Sequence, residues 1–87
     1  MTEEADNSAF LQVLVLDRVD PARNMARYYV LSIEPTLFEE FALVRRWGRI
    51  GSAGKTRIDL HPSPPAARIE LEKWLSRKRR RGYTLRA

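Results

Sequence analysis

Four short apolar runs, each closed by turn-forming residues, precede one helical segment, and this order leaves few folds open. Phe10 to Leu16 (FLQVLVL) is too short for an ordinary helix and reads as a strand buried on both faces or nearly so. Asp17 to Asn24 (DRVDPARN) carries turn chemistry, with Asp20-Pro21 starting a turn and Asn24 able to adopt unusual dihedrals. Arg27 to Glu34 (RYYVLSIE) is strand again, with Tyr29, Leu31 and Ile33 on one face and Tyr28, Val30 and Ser32 on the other. After a turn over Glu34 to Glu40, Phe41 to Arg49 (FALVRRWGR) is a third strand. There Ala42 and Val44 share one face, and Arg45, Trp47 and Arg49 share the other. Gly51 to Lys55 (GSAGK) predicts a tight hairpin loop, and Thr56 to His61 a returning strand with Ile58 and Leu60 on one side.

The change to helix is abrupt. In His61-Pro62-Ser63-Pro64-Pro65, Ser63 suits the N-cap, where its hydroxyl accepts an orphan backbone N–H, and Pro64 suits the first helical position, where no N–H is needed. From Ala66 to Arg81 the pattern is helical, with Ala67, Leu71, Trp74, Leu75 and the stem of Lys78 on one stripe; Ile69 falls off it. Gly82 is placed to end the helix, and Tyr83 to Arg86 to add a short last strand. Short loops between consecutive strands imply an antiparallel meander whose apolar face needs a cover. The expected fold is therefore α+β, an antiparallel sheet of four to five strands with one amphipathic helix packed against it.

Eighty-seven residues hold one domain, which buries roughly 60–65% of the surface exposed by the unfolded chain. Residues 1–8 are expected to be a flexible acidic tail and 9–87 a single domain. That acidic, polar start is unlike a secretory signal, and no apolar run reaches the ~20 residues of a membrane span. With no cysteine as well, the chain is expected in the cytoplasm, without disulfides or thiolate metal sites.

The net charge of +5 is unevenly placed. Residues 1–40 hold three basic and eight acidic side chains, whereas residues 41–87 hold thirteen basic and three acidic ones. Such segregation predicts a basic surface on one side of the fold, suited to a polyanion. It also suits a protein adaptor that docks through its two oppositely charged halves, or a merely solubilising surface. Arg77 to Arg81 (RKRRR) exceeds what the helix dipole at that end calls for, which favours an anionic partner over a solvated face. Catalytic constellations are missing. One histidine (His61) and no cysteine leave no Cys–His pair and no metal cage, and Glu39-Glu40 point to opposite faces if extended. No enzyme activity, cofactor, metal, membrane or small-molecule substrate is expected.

The stretch Arg46-Trp47-Gly48-Arg49-Ile50-Gly51 resembles the motif that names the WGR domain family. Upstream, Asn24-Met25-Ala26-Arg27-Tyr28-Tyr29 resembles the family's Asn, basic, aromatic strand. Gly54-Lys55 resembles the end of its hairpin, and Trp74 and Gly82-Tyr83 resemble its helix and closing motif. The likeness covers roughly residues 10–86. It implies an antiparallel sheet with one flanking helix. In the poly(ADP-ribose) polymerases that carry this module, it implies contact with a duplex end, the tryptophan packing on a terminal sugar and basic groups engaging phosphate. Carried over, Trp47 is the stacking residue and Arg49 the motif arginine, with Arg46, Asn24 and Tyr83 as supporting contacts near a 5′ phosphate. Arg45, Lys55 and Arg79 complete the nucleic-acid-binding set, with DNA favoured over RNA.

Each assignment has a plainer competitor. Trp47 is taken to face solvent among arginines; the alternative packs it in the core. Arg49 meets phosphate or pairs with an internal carboxylate, and Tyr83 reaches phosphate or caps the sheet. Trp74 is expected in the core.

Overall fold

The computed structural model describes residues 12–86. The expected acidic tail and Phe10 and Leu11 of the first expected strand fall outside that range. Five strands, β1 (Gln12–Asp20), β2 (Met25–Pro35), β3 (Phe41–Arg49), β4 (Lys55–His61) and β5 (Thr84–Leu85), form one antiparallel sheet, with helix α1 (Pro64–Arg80) between β4 and β5 in sequence. The strand order is β4-β3-β2-β1-β5. Helix length explains this closure. The 17 residues of α1 span about 25 Å at 1.5 Å per residue. That suffices to carry the chain across four strand spacings, about 19 Å, from the β4 edge to the free edge of β1. No helix among the described residues is long and apolar enough to cross a membrane.

The helix covers one face only. Leu16, Tyr29, Leu31, Ile33 and Leu43 of the sheet bury against Ala67 and Leu71 of α1 and against Tyr83. Ala67 is fully buried, so a larger side chain there would push the helix off the sheet. Ile69 is exposed, in keeping with its place off the apolar stripe.

Both helix ends match their expected chemistry. The Ser63 hydroxyl accepts a hydrogen bond from Ala66 N–H at 3.3 Å, and the helix starts at Pro64, two residues earlier than the apolar pattern alone indicates. At the other end Gly82 sits at φ +97°; its N–H donates to Arg79 C=O and that of Tyr83 to Lys78 C=O, both at 3.0 Å. This is a Schellman closure, which needs a residue that tolerates positive φ.

Strand β1 departs from the reading of its sequence in two ways. It is not buried on both faces, since Leu16 is sealed under the helix while Val13 is about half exposed. It also continues through Asp17 to Asp20, and the turn is only the 3-10 segment Pro21–Arg23, capped by Asn24 at φ 52°, ψ 44°. Asp17 is held in the sheet because it pairs with Tyr28 on one side and Thr84 on the other, and its carboxylate accepts two hydrogen bonds from Arg86, at 2.6 and 2.8 Å. Likewise Pro35 closes β2 and Lys55 opens β4, so the turns are shorter than predicted.

Candidate nucleic-acid interface

The register puts the motif residues in order. Tyr29, Trp47 and Lys55 lie side by side across β2, β3 and β4, and Arg27 lies opposite Arg49 in the row two residues beyond Trp47. All project from the face that α1 covers, because Trp47 stacks on buried Tyr29 with centroids 6.0 Å apart and planes at 25°. This corrects the expectation that the Trp47 face is the open one. The open face carries Ala42 and Val44 with Val13, Val30, Ile58 and Leu60, and it holds a depression of about 270 Å³ lined in part by Val13, Val30 and Val44. Trp47 is partly buried against the core at the helix margin, neither sealed nor free-standing.

Arg45 accounts for the difference. Its residue is 7% exposed. Its guanidinium carbon lies 3.9 Å from the centroid of Trp74 and 5.7 Å from that of Trp47. Nη1 donates to the Tyr29 hydroxyl at 3.3 Å, and Nη2 lies 3.6 Å from an Asp59 carboxylate oxygen. Burial pushes the Tyr29 hydroxyl above its ordinary pKa, an effect that the Arg45 hydrogen bond opposes. A guanidinium is weakly hydrated and flat, so two indoles and a carboxylate make a bearable interior for it. Arg45 is therefore a strut under the aromatic cluster, where burial leaves little of it for the phosphate contact expected from sequence.

Arg49 is exposed and tethered. Its Nη1 donates to Asn24 C=O at 3.2 Å and its Nη2 to Asn24 Oδ1 at 3.4 Å. Both acceptors are neutral, so among the described residues the side chain is oriented without a carboxylate partner, and its other N–H donors face no acceptor there. Asn24 thus meets the site through Arg49, from the left-handed residue that ends the β1–β2 turn.

The motif glycine is explained by packing. A Cβ on Gly48 would meet Gly54 Cα at 2.8 Å, and a Cβ on Gly54, itself at φ +71°, would collide with the Trp47 carbonyl and the Tyr28 hydroxyl. The Tyr28 hydroxyl lies 3.1 and 2.9 Å from the carbonyl oxygens of Ser52 and Ala53. The tip of the β3–β4 hairpin is thereby pulled in behind Trp47.

Three expected contacts are placed elsewhere. Alternation along β3 puts Arg46 on the open face, where its Nε donates to Thr56 Oγ1 at 3.4 Å. Tyr83 is buried, its ring edge-on to Tyr29 at 6.2 Å, which favours the sheet-capping role. Arg79 projects about 140–160° around the helix from Trp74, Arg77 and Arg81.

The helix contributes a groove that residue-by-residue reading missed. It has a volume of about 500 Å³ and is lined by Trp74, Arg77, Lys78, Arg80 and Arg81. Arg77 lies over Trp74 at 4.8 Å, and Lys78 Nζ lies 4.4 Å from the Tyr29 centroid and 5.6 Å from that of Tyr83. Burial, and then the positive charges of Arg81, Arg45 and Arg27, hold Lys78 below its ordinary pKa. The sequence carried a signal for this site. Trp74, Arg77, Lys78 and Arg81 follow the i, i+3, i+4, i+7 spacing of one helix face, to which Arg79 does not belong.

The family model of the WGR domain matches residues 12–87. The "Uncharacterized protein y4dW" of Sinorhizobium fredii is 48% identical over 71 residues, which is 80% of this chain and 34% of that protein. The chain thus spans about a third of that relative's length. No solved structure matches.

Proposed function

The chain belongs to the WGR domain family of nucleic-acid-binding modules, and on that premise we propose that it is a non-enzymatic module that binds duplex DNA at an end or break. Trp47 packs on a terminal sugar, and Arg49 and Lys55 hold the neighbouring phosphates, with Asn24 keeping Arg49 in place. The observation that carries this reading is the row Tyr29–Trp47–Lys55 with Arg49 beside it: a half-buried indole, already fixed by stacking, bordered by exposed cations. A fixed ring loses little freedom on contact, so the ~1 kcal/mol expected of a sugar contact is retained as affinity. Little base readout is expected, because the donors present suit phosphate oxygens.

The test is a titration of a 5′-phosphorylated blunt duplex against a closed dumbbell of equal length, with an RNA duplex alongside. The blunt DNA should bind tightest, with a log–log salt slope of about 0.9 per neutralised phosphate. Trp47→Ala combined with Arg49→Glu should remove the preference for the blunt end. Equal affinity for blunt duplex and dumbbell would sink the end-binding claim.

One observation favours a second reading, a protein adaptor. The open sheet face exposes Val13, Val19, Ile58 and Leu60 beside a depression lined by Val13, Val30 and Val44 together with Ser32, Glu34 and Arg46, a surface of the kind that meets another protein. A stoichiometric partner recovered after nuclease treatment, and lost with Ile58→Asp, supports that reading.

A further inference from the structure

We propose that the groove beside Trp74 is a second phosphate-binding site that receives the strand running on past Trp47, so that the ligand is a duplex end with a short single-stranded extension. This rests on the reading of Trp47 above and assigns a ligand to a surface which that reading leaves unused.

Charge is the first argument. Among the described residues, the ion pairs engage Arg23, Arg45, Arg57, Lys73 and Arg86, and none engages Arg77, Lys78, Arg80 or Arg81. Four cations therefore line one groove without a carboxylate among them. The helix C-terminus contributes about half a negative charge, too little to offset four positive ones. Its last carbonyls are in part occupied by the N–H groups of Gly82 and Tyr83. An incoming phosphate supplies the missing counter-charge and relieves the crowding at Lys78.

Preorganisation is the second. Trp74 already carries two guanidiniums, Arg45 at 3.9 Å and Arg77 at 4.8 Å, so it is not a free platform for a base. Its part is to hold the Arg77 guanidinium at the groove by a cation–π contact, and a guanidinium can meet phosphate oxygens two at a time. The groove therefore reads backbone, not sequence.

Distance and stiffness select the ligand. The Trp47 and Trp74 centroids are no further apart than the sum of their distances to the shared Arg45 guanidinium, a little under 10 Å. Three nucleotides at the ~3.4 Å rise of a stacked strand are therefore enough to bridge them. Between them the surface climbs from sheet to helix flank, and a helix with its side chains is about 10–12 Å across. A duplex with a persistence length of about 150 base pairs cannot follow such a step over three nucleotides. A single strand can.

The experiment uses the full chain and four DNA ligands sharing one 5′-phosphorylated duplex: blunt, extended by three nucleotides on the 3′ strand, extended likewise on the 5′ strand, and a closed dumbbell. One of the two extensions should bind about tenfold tighter than the blunt duplex near 0.1 M salt, with a salt slope steeper by about 1.5–2, as two or three single-strand phosphates require. Arg77→Gln with Arg81→Gln, both exposed and outside the core, should erase that gain and leave blunt binding within about twofold. Equal affinity for blunt and extended ends overturns the proposal, as does a double variant that weakens all four ligands alike, the mark of a diffuse cationic field. A gain from the extension that survives the double variant also overturns it. Trp47→Ala separates the two readings: if it leaves blunt binding intact, the reading of Trp47 fails, whereas blunt binding that depends on Trp47 without any extension effect removes only the groove.

Discussion

The Arg45 guanidinium carbon lies 3.9 Å from the ring centroid of Trp74, and this contact joins the helix to the strand that carries Trp47. Arg45→Ala loses that contact, the longer one to Trp47 and the hydrogen bond to Tyr29. Desolvated cation–π contacts and such a bond together contribute about 2–3 kcal/mol. The Asp59 carboxylate is exposed enough to rehydrate, so little is added for the broken ion pair. Urea titration followed by tryptophan fluorescence should show a lower midpoint at unchanged slope, with a red-shifted emission. Arg45→Lys, which keeps the charge but not the flat stack, should recover less than half of the loss. A midpoint equal to that of the parent would show that the stack holds nothing.

The same residue shows where the sequence was legible and where it was not. Alternation divided β3 correctly into an Ala42/Val44 set and an Arg45/Trp47/Arg49 set, and paired Tyr29 with Leu31 and Ile33. It did not tell which set the helix would cover, because both carry apolar side chains and the guanidinium of Arg45 counts as a mark of solvent. Only knowing that Trp74 would arrive from α1 turns that arginine into an interior group. Helix ends and glycine turns were legible because Ser63, Pro64 and Gly82 act through local backbone chemistry. The length of β1 was not, since Asp17 is kept in the sheet by Arg86, 69 residues away.

The hairpin behind Trp47 should tolerate no side chain at its closing glycine. Gly54→Ala places a Cβ on the Trp47 carbonyl and the Tyr28 hydroxyl and requires an alanine at φ +71°. The left-handed backbone alone costs about 1–2 kcal/mol, and the collision adds to it. Gly51→Ala, also at positive φ but with open space around its Cβ, should show the backbone cost alone. Thermal melts of the two variants should differ, with Gly54→Ala the lower; equal melting temperatures would mean that the loop moves freely away from Tyr28.

Acid should loosen the β1–β5 edge. The Arg86 side chain, through its hydrogen bonds and then its charge, holds the Asp17 carboxyl below its ordinary pKa. A lowered folded pKa means that the unfolded chain takes up a proton first as pH falls. The contribution is thus complete above the unfolded value of about 3.9 and fades as pH drops through the lower folded value. Stability of the parent should therefore decline more steeply than that of Asp17→Asn below about pH 4. Parallel slopes for the two proteins would assign acid sensitivity to other carboxylates.

Arg46 and Arg49 are three residues apart on one strand, and substituting each in turn tests which sheet face meets nucleic acid. Arg49 stands on the covered face beside Trp47, and among the described residues its hydrogen-bond partners are the neutral acceptors of Asn24. Removing it should weaken binding to a blunt duplex and lower the log–log salt slope by about 0.9, the share of one phosphate. Its two hydrogen bonds are exposed, so the protein should lose no more than about 1 kcal/mol in stability. Arg46 projects from the opposite face and donates to Thr56. Arg46→Ala should leave the slope unchanged and the affinity within about twofold, since a charge on the far side acts only through a screened field. Reversed effects, with Arg46 setting the slope and Arg49 silent, would move the interface to the open valine-rich face and leave Trp47 a packing residue.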